Sequence, residues 1–363
     1  MYKILIAILL ILSNVSAQDD NQNDYTLGEG MQIGSLPLYL GGYFSLNYRY
    51  VNEENLYSID DIAILGYGSY EKFSYMAELE YKEFYVQSEK MGTTKTEQDL
   101  RLHVERFYIQ YNMDENYLFQ VGKYNSPIGY WNLLPINVLR DTTSSPITSS
   151  IIFPRYTTGI DVSYSSYSQN NFKVDIMLQN NSDLDANYNN YEVDEHYGLG
   201  LTFEKDNLSL KFNIGFFNLV QYNNANTNIR TSESLDDDDN DDEREDDETM
   251  ELMLPGRYYA LISTQYDNDK FKIMGEIGTQ RSSYLKATTS YAAYLQGLYR
   301  INERHIGILR VESYQEDVLD KSDDVAIIGY TYRPTYPVAI KTEYQFHSLA
   351  NNDTFIFSFS MMF

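Results

Sequence analysis

The chain has 363 residues and a formal net charge of −26, because 53 Asp and Glu outnumber 27 Lys and Arg. This balance, without a basic stripe, disfavours nucleic-acid binding. Aromatic residues make up 15% of the chain, including 36 Tyr, whereas disordered chains are poor in aromatic residues. The absence of Cys excludes disulfides as a source of stability. After the first residues, no apolar run approaches the ~18–20 residues of a membrane-spanning helix.

Residues 1–17 are typical of a secretory signal peptide. Lys3 supplies the positive charge, residues 4–12 form a short apolar region, and Val15-Ser16-Ala17 resembles a cleavage site. We therefore expect an exported chain that loses this peptide and begins with an N-terminal segment, residues 18–37. A buried N-terminal helix is the alternative.

From residue 38 onward, apolar and polar residues alternate with a period of two. Between Leu208 and Phe216, for example, every second residue is apolar, and the residues between them are polar or Gly. Such segments match the ~9–11 residues of a tilted transmembrane strand better than the five or six of a soluble sandwich. About sixteen of them occur, centred near residues 44, 63, 78, 105, 120, 161, 175, 200, 213, 261, 276, 295, 309, 328, 341 and 358.

The connections between these segments alternate in length. Those after even-numbered segments are tight, as at Met113–Asn116, whereas those after odd-numbered segments are mostly long: residues 87–98, 125–154, 180–193 and 222–255. This alternation is typical of a barrel with short periplasmic turns and longer outer loops. The sequence therefore predicts an all-β fold, an antiparallel transmembrane β-barrel of about 16 strands over residues 38–363.

One segment breaks the alternation. Between Leu102 and Tyr111 the apolar positions shift from even to odd residue numbers. A β-bulge at Glu105-Arg106 would produce this shift, and a misplaced strand is the alternative.

The third outer connection, residues 125–154, has a composition of its own. It contains four prolines and many apolar residues, so it needs a surface on which to pack, and the barrel interior offers one. We predict that it folds into the lumen as a constriction loop, in which Arg140 and Asp141 narrow the pore and set its electric field. A loop over the rim and a subunit contact are the alternatives.

The polar faces of the strands predict the pore lining. Sixteen strands enclose a lumen too wide for side chains to fill, so charges on the inward face stay hydrated in an aqueous channel. The expected inward-facing residues form a mixed-charge wall: Arg49, Glu78, Glu80, Arg101, Lys173, Asp175, Lys211, Lys272, Glu276, Arg310, Glu312, Lys341 and Glu343.

The connection at residues 222–255 carries an acidic run. Residues 233–251 contain 13 acids and one Arg, so we expect a solvated outer loop that attracts cations to the channel mouth. It lacks the Gly of an EF-hand loop. Weak cation binding is the alternative for six of its residues, Asp236, Asp237, Asp238, Asp239, Asp241 and Asp242. No resident metal or cofactor is expected.

Catalysis is not expected from this sequence. Its four His are scattered, and it contains no G-x-S-x-G, H-E-x-x-H or P-loop motif. An enzyme would need a nucleophile and a base on neighbouring strands.

With these features, the mature chain resembles Gram-negative outer-membrane porins: a signal peptide, about sixteen strands, a long third outer loop and a terminal Phe. The stretch Glu105 to Trp131, with Gly122-Lys123, Pro127 and Gly129, is also similar to phosphate-selective porins. The resemblance implies an outer-membrane location among lipid and lipopolysaccharide, and assembly as a homotrimer. It also implies that the barrel-assembly machinery recognises Phe363 as its signal.

The expected function is a channel for passive diffusion of small hydrophilic solutes or ions. The alternative is a plugged barrel that acts as a surface adhesin or structural protein and binds cations or partners through its acidic loop.

Overall fold

The computed structural model describes residues 25–167, 171–220, 256–282, 288–316, 321–349 and 352–363. Within them the chain forms sixteen long antiparallel strands, at the predicted positions. They are β1 (Leu38–Val51), β2 (Glu54–Tyr70), β3 (Phe73–Lys90), β4 (His103–Asn112), β5 (Tyr117–Asn125), β6 (Tyr156–Ser166), β7 (Asn171–Asn180), β8 (Val193–Lys205), β9 (Leu208–Leu219), β10 (Gly256–Asp267), β11 (Phe271–Ser282), β12 (Thr289–Asn302), β13 (His305–Glu316), β14 (Lys321–Tyr332), β15 (Val338–His347) and β16 (Thr354–Met362). The proposed signal peptide and the acidic run lie outside the described residues.

The sheet closes on itself. Each strand pairs with its sequence neighbours, and β16 pairs with both β15 and β1, with Phe359 opposite Leu46. At the seam, the Phe363 N–H donates to the Gly42 carbonyl at 2.8 Å, and the Gly42 N–H donates to the Phe363 carbonyl at 2.7 Å. A closed barrel leaves no strand edge unpaired. The predicted antiparallel β-barrel is therefore confirmed.

Connections alternate in length as predicted, with one difference beyond β3. Strands β2 and β3 have 17 and 18 residues, more than a bilayer crossing needs, so their ends away from the inner turn project past the membrane on the outer side. A short strand at Thr93–Glu97 extends the hairpin by pairing with β3. At the opposite end, Tyr25–Thr26 and Gly30–Gln32 form a small ribbon whose second strand pairs with the start of β1.

The two faces of the barrel differ in polarity. On β9, Phe212 and Ile214 are 40% and 57% exposed on the outside, whereas Asn213 between them is 1% exposed. This outward apolar band fits the hydrocarbon of a bilayer. Near the inner turns, cross-strand aromatic pairs add an interfacial girdle: Phe73–Tyr111, Tyr117–Tyr164, Phe172–Phe203 and Phe271–Tyr299. In the described ranges, no helix has both the length and the apolar character to cross a membrane.

The predicted β-bulge lies at Glu105. In the pairing of β3 with β4, Glu78 opposes Arg106 and Leu79 opposes Val104, so Glu105 is the extra residue. A bulge redirects side chains, and here the side chains of Glu105 and Arg106 are both buried although the two residues are adjacent.

Candidate functional site

The connection between β5 and β6, residues 126–155, lies inside the barrel, and we call it the inner loop. It contains short helical turns at Trp131–Leu133, Asn137–Leu139 and Thr148–Ile151. Its two ends meet at the wall, where the Ser126 N–H donates to the Arg155 carbonyl at 2.9 Å. The loop is therefore a closed excursion of the chain that begins and ends at the same place.

Apolar packing explains why the inner loop is inside. Its apolar side chains contact inward-facing apolar residues of the wall, and hydrophobic burial favours this contact over exposure to water. Ile128, Ile151, Ile152 and Phe153 pack with Met177, Phe217, Tyr259 and Leu261; Ile136 and Val138 pack with Tyr43, Ala63, Leu65 and Ala339; Trp131 packs with Met274 and Tyr294. The predicted folding of this loop into the lumen is confirmed.

A buried carboxylate on β11 holds the first part of the inner loop. Glu276 Oε1 accepts hydrogen bonds from the N–H groups of Tyr130 at 2.6 Å and Trp131 at 3.3 Å. Beside it, Lys211 Nζ donates to the Gly129 carbonyl at 3.2 Å. Gly129 has a φ of +67°, and a Cβ there would lie 2.6 Å from Glu276 Oε1, so a side chain would displace the carboxylate.

Three charged residues on β13 and β15 hold the middle of the inner loop. Lys341 Nζ donates to the main-chain and side-chain oxygens of Asn137. Arg310 Nη2 donates to Ser144 Oγ at 2.7 Å, and Ser144 Oγ donates to Glu343 Oε2 at 2.5 Å. The predicted wall residues Lys211, Arg310, Lys341 and Glu343 thus lie on the inward face, where they are buried and bind the loop.

Arg140 and Asp141 lie in the inner loop as predicted, and both are engaged. Arg140 bends back on the loop, where its Nε donates to the Leu134 carbonyl at 2.6 Å and its Nη2 to the Pro135 carbonyl. Burial lowers the pKa of Arg140. Asp141 Oδ1 lies 3.5 Å from Arg333 Nη2, beyond the end of β14. These two side chains therefore hold the conformation of the inner loop and also contribute its charge.

The opposite wall carries three buried carboxylates, Glu78 and Glu80 on β3 and Glu105 on β4, which we call the carboxylate cluster. Tyr43 OH lies 2.8 Å from Glu80 Oε2 and 2.9 Å from Glu105 Oε2. Tyr156 OH donates to Glu105 Oε1 at 2.6 Å. By strand order, this wall lies across the lumen from β11 and β12.

The inner loop ends beside the carboxylate cluster. The guanidinium carbon of Arg155, the last residue of the loop, lies 5.8 Å from the centre of the Tyr156 ring. Burial opposes the charge of Arg155, but Tyr156, Tyr188, and then Glu105 and Glu80, raise its pKa above the usual value. A positive loop end thus faces a negative wall.

The remaining predicted lining residues occupy different places. Arg49, on the inward face of β1, is exposed. Lys173 on β7 and Lys272 on β11 also face inward and are partly exposed. Lys173 Nζ lies 2.7 Å from Asp175 Oδ1. Arg101 lies in the connection before β4, exposed and 2.5 Å from Asp99 Oδ2. Arg101 is therefore at the outer rim rather than on a strand, because β4 begins two residues later than the alternation indicates.

A cavity of about 280 Å³, lined by polar and aromatic residues, opens at the inner end of the barrel. It lies between the β4–β5 turn and the inner ends of β6, β7 and β8, and its lining includes Asp114, Lys173 and Glu204. The inner mouth of the barrel therefore carries charged side chains.

Sequence reasoning did not single out the carboxylate cluster or Glu276. Strand alternation places Glu78, Glu80 and Glu276 on the inward face, but many other charges share that property. The change of the apolar positions from even to odd residue numbers near Glu105 is the one sequence signal at the carboxylate cluster, because a bulge turns an additional side chain inward. Tyr43 on β1 and Tyr156 on β6 reach Glu105 on β4 across intervening strands, so local patterns do not reveal these contacts.

Comparison with known proteins identifies the fold. No protein-family model matches the sequence, and neither does any curated protein. Among solved structures, Salmonella typhi OmpF in complex with daunomycin is similar, with a TM-score of 0.60 and 9% identity over 94% of this chain and 100% of that one. An anion-selective porin from Comamonas acidovorans gives a TM-score of 0.59 and 9% identity over 90% of this chain and 99% of that one. A trimer form of OmpT, an outer membrane protein of Vibrio cholerae, gives a TM-score of 0.55 and 10% identity over 90% and 99%.

At these identities the likeness establishes the fold. The chain has the fold of Gram-negative outer-membrane porins, which confirms the resemblance drawn from its sequence.

Proposed function

We propose that the chain is an outer-membrane porin that forms a water-filled channel for passive diffusion of small hydrophilic solutes or ions. One observation carries the proposal: a closed barrel with an apolar outside and a charged inside contains a loop that is fastened to its inner wall. A loop held in this way narrows a lumen without requiring a plug.

The passage in this proposal is the part of the lumen that the inner loop leaves open. Five buried charged residues of the wall bind the inner loop: Lys211, Glu276, Arg310, Lys341 and Glu343. Arg49 and Lys173 keep contact with water. Solutes would thus meet the charges of these two side chains in the lumen.

Location and assembly follow from the same features. An apolar band on a closed barrel requires a membrane, and barrels of this fold include outer-membrane porins, which supports placement in a Gram-negative outer membrane. We propose a homotrimer, supported by the trimer form of the similar Vibrio cholerae structure. Export with a cleaved signal peptide and recognition of Phe363 during assembly complete the proposal.

Liposome swelling tests the function directly. Purified protein reconstituted into liposomes is diluted into isotonic solutions of sugars of increasing size, and the rate of turbidity loss reports permeation. The proposal predicts fast swelling with small sugars and a decline as the sugar grows, with heat-denatured protein as the control. Swelling no faster than in protein-free liposomes would favour the plugged surface barrel instead.

A further inference from the structure

The carboxylate cluster is crowded and removed from water. One carboxylate oxygen of each of Glu78, Glu80 and Glu105 lies within 4.8 Å of the other two. The three residues are 0%, 1% and 2% exposed. Like charges this close repel one another strongly where water cannot screen them, so an uncompensated group of three would be very unfavourable.

The cluster has too few hydrogen-bond donors. The single hydroxyl proton of Tyr43 is shared between Glu80 and Glu105, and Tyr156 donates to Glu105. Among the described residues, Oε1 of Glu78 and Oε1 of Glu80 are buried and have no hydrogen-bond partner. A buried carboxylate oxygen without a donor costs free energy, so these two oxygens call for a positive ligand.

The charge and spacing fit a divalent cation. Arg106 Nε pairs with Glu78 Oε2, Arg155 lies near Glu105 and Glu80, and Asp61 lies near Glu80. The four carboxylates and two guanidinium groups therefore sum to a charge of −2. Calcium takes oxygen ligands at about 2.3–2.6 Å, so oxygens that share one ion lie within about 5 Å of each other. The three carboxylate oxygens lie within 4.8 Å of one another, which meets this condition before any side chain moves.

We propose that the carboxylate cluster binds one hard divalent cation, such as Ca²⁺, in the lumen wall. The ligands are one or both oxygens of Glu80, the unpartnered oxygen of Glu78 and an oxygen of Glu105. Tyr43 and Arg106 hold the carboxylates in place around the ion. Water completes the coordination shell, because Ca²⁺ takes six to eight ligands. This site is separate from the acidic outer connection, and its occupancy does not depend on whether the barrel conducts.

Calorimetric titration with CaCl₂ tests the site on the full mature chain in detergent at neutral pH, after treatment with EDTA. The variants Glu80→Gln and Glu105→Gln keep the side-chain shape and remove one charge each. Glu89→Gln, on the same strand but outside the cluster, is the matched control. Circular dichroism at the strand band establishes that each variant is folded.

The unsubstituted chain and Glu89→Gln are expected to bind one more Ca²⁺ per chain than Glu80→Gln and Glu105→Gln. Calcium should also raise their unfolding temperature by a larger amount, because a ligand stabilises the state that binds it. Equal stoichiometry in all four proteins would overturn the proposal. The proposal would also be overturned if the parent bound no calcium and Glu80→Gln were more stable than the parent in EDTA. A proton shared between carboxylates would then satisfy the cluster.

A deletion keeps the test decisive if the Gln variants do not fold. Removing residues 234–249 takes away most of the acidic run and leaves the barrel wall unchanged. This variant is expected to bind one Ca²⁺ per chain. Complete loss of calcium binding in it would assign all binding to the outer connection and contradict a site in the wall.

Discussion

Glu276 on β11 accepts a 2.6 Å hydrogen bond from the N–H of Tyr130, which precedes it by 146 residues in the chain. The same carboxylate oxygen also accepts from Trp131, and its partner oxygen lies 3.4 Å from Thr148 Oγ1. One buried side chain thus fixes both the beginning and the end of the inner loop against the wall.

Glu276→Gln should loosen the inner loop. The amide keeps one acceptor but loses the charge, and hydrogen bonds to charged groups contribute about 1.5–3 kcal/mol each. We expect a lower unfolding temperature and larger, noisier single-channel currents. Glu303→Gln, in the turn after β12, is the control. Currents identical to those of the parent would show that Glu276 does not hold the loop.

Arg140→Ala should alter conductance more than Asp141→Ala. Arg140 binds the carbonyls of Leu134 and Pro135, so its removal leaves two loop carbonyls without their donor. The Asp141 side chain pairs with Arg333, which keeps its bonds to the Val138 and Arg140 carbonyls. Planar-bilayer recordings of both variants test this order. If neither variant changes conductance or ion selectivity, the inner loop is not in the conduction path.

Single cysteines can map the lumen, because the chain contains no Cys of its own. Arg49→Cys and Lys272→Cys should react with a charged, membrane-impermeant thiol reagent and lower the current when labelled. Ile277→Cys, which faces lipid, should stay unlabelled in liposomes. Arg101→Cys, at the outer rim, should react with a smaller effect on current. Labelling of Ile277→Cys with loss of current would mean that the inward and outward faces are assigned the wrong way round.

Deletion of Phe363 should impair barrel assembly. Its backbone makes two hydrogen bonds with Gly42 at the seam, and its ring centre lies 6.5 Å from that of Phe44. We expect less folded barrel in the outer membrane, measured as heat-modifiable protein, with normal conductance in the molecules that insert. Phe357→Ala, on the lipid face of the same strand, is the comparison. Normal insertion of the shortened chain would contradict an assembly role.

Much of the barrel is encoded locally, which is why the sequence predicts it. Alternation from Leu208 to Phe216 follows from one face meeting lipid and the other the lumen, and each strand carries this signal by itself. The bulge at Glu105 is visible for the same reason, as a break in that local period.

The contacts inside the lumen join distant parts of the chain, so local sequence patterns do not predict them. Glu276 on β11 meets Tyr130 in the inner loop, and Tyr43 on β1 meets Glu105 on β4, so each contact joins parts of the chain that do not pair with each other. The apolar, Pro-rich composition indicates that the inner loop packs on a surface, but it does not identify the wall residues that hold it. Arg101 shows the limit of strand boundaries, because a shift of two residues moves it from the predicted wall to the rim.

Single-channel recording in planar bilayers tests the central claim, a continuous aqueous path through the barrel. Purified, folded protein is added to one side of a bilayer in symmetric salt, and the current is followed at both polarities. The account predicts discrete steps of nanosiemens scale whose current rises linearly with voltage. Bilayers with demonstrably inserted barrels but no steps above the bare membrane would contradict it and identify the lumen as closed.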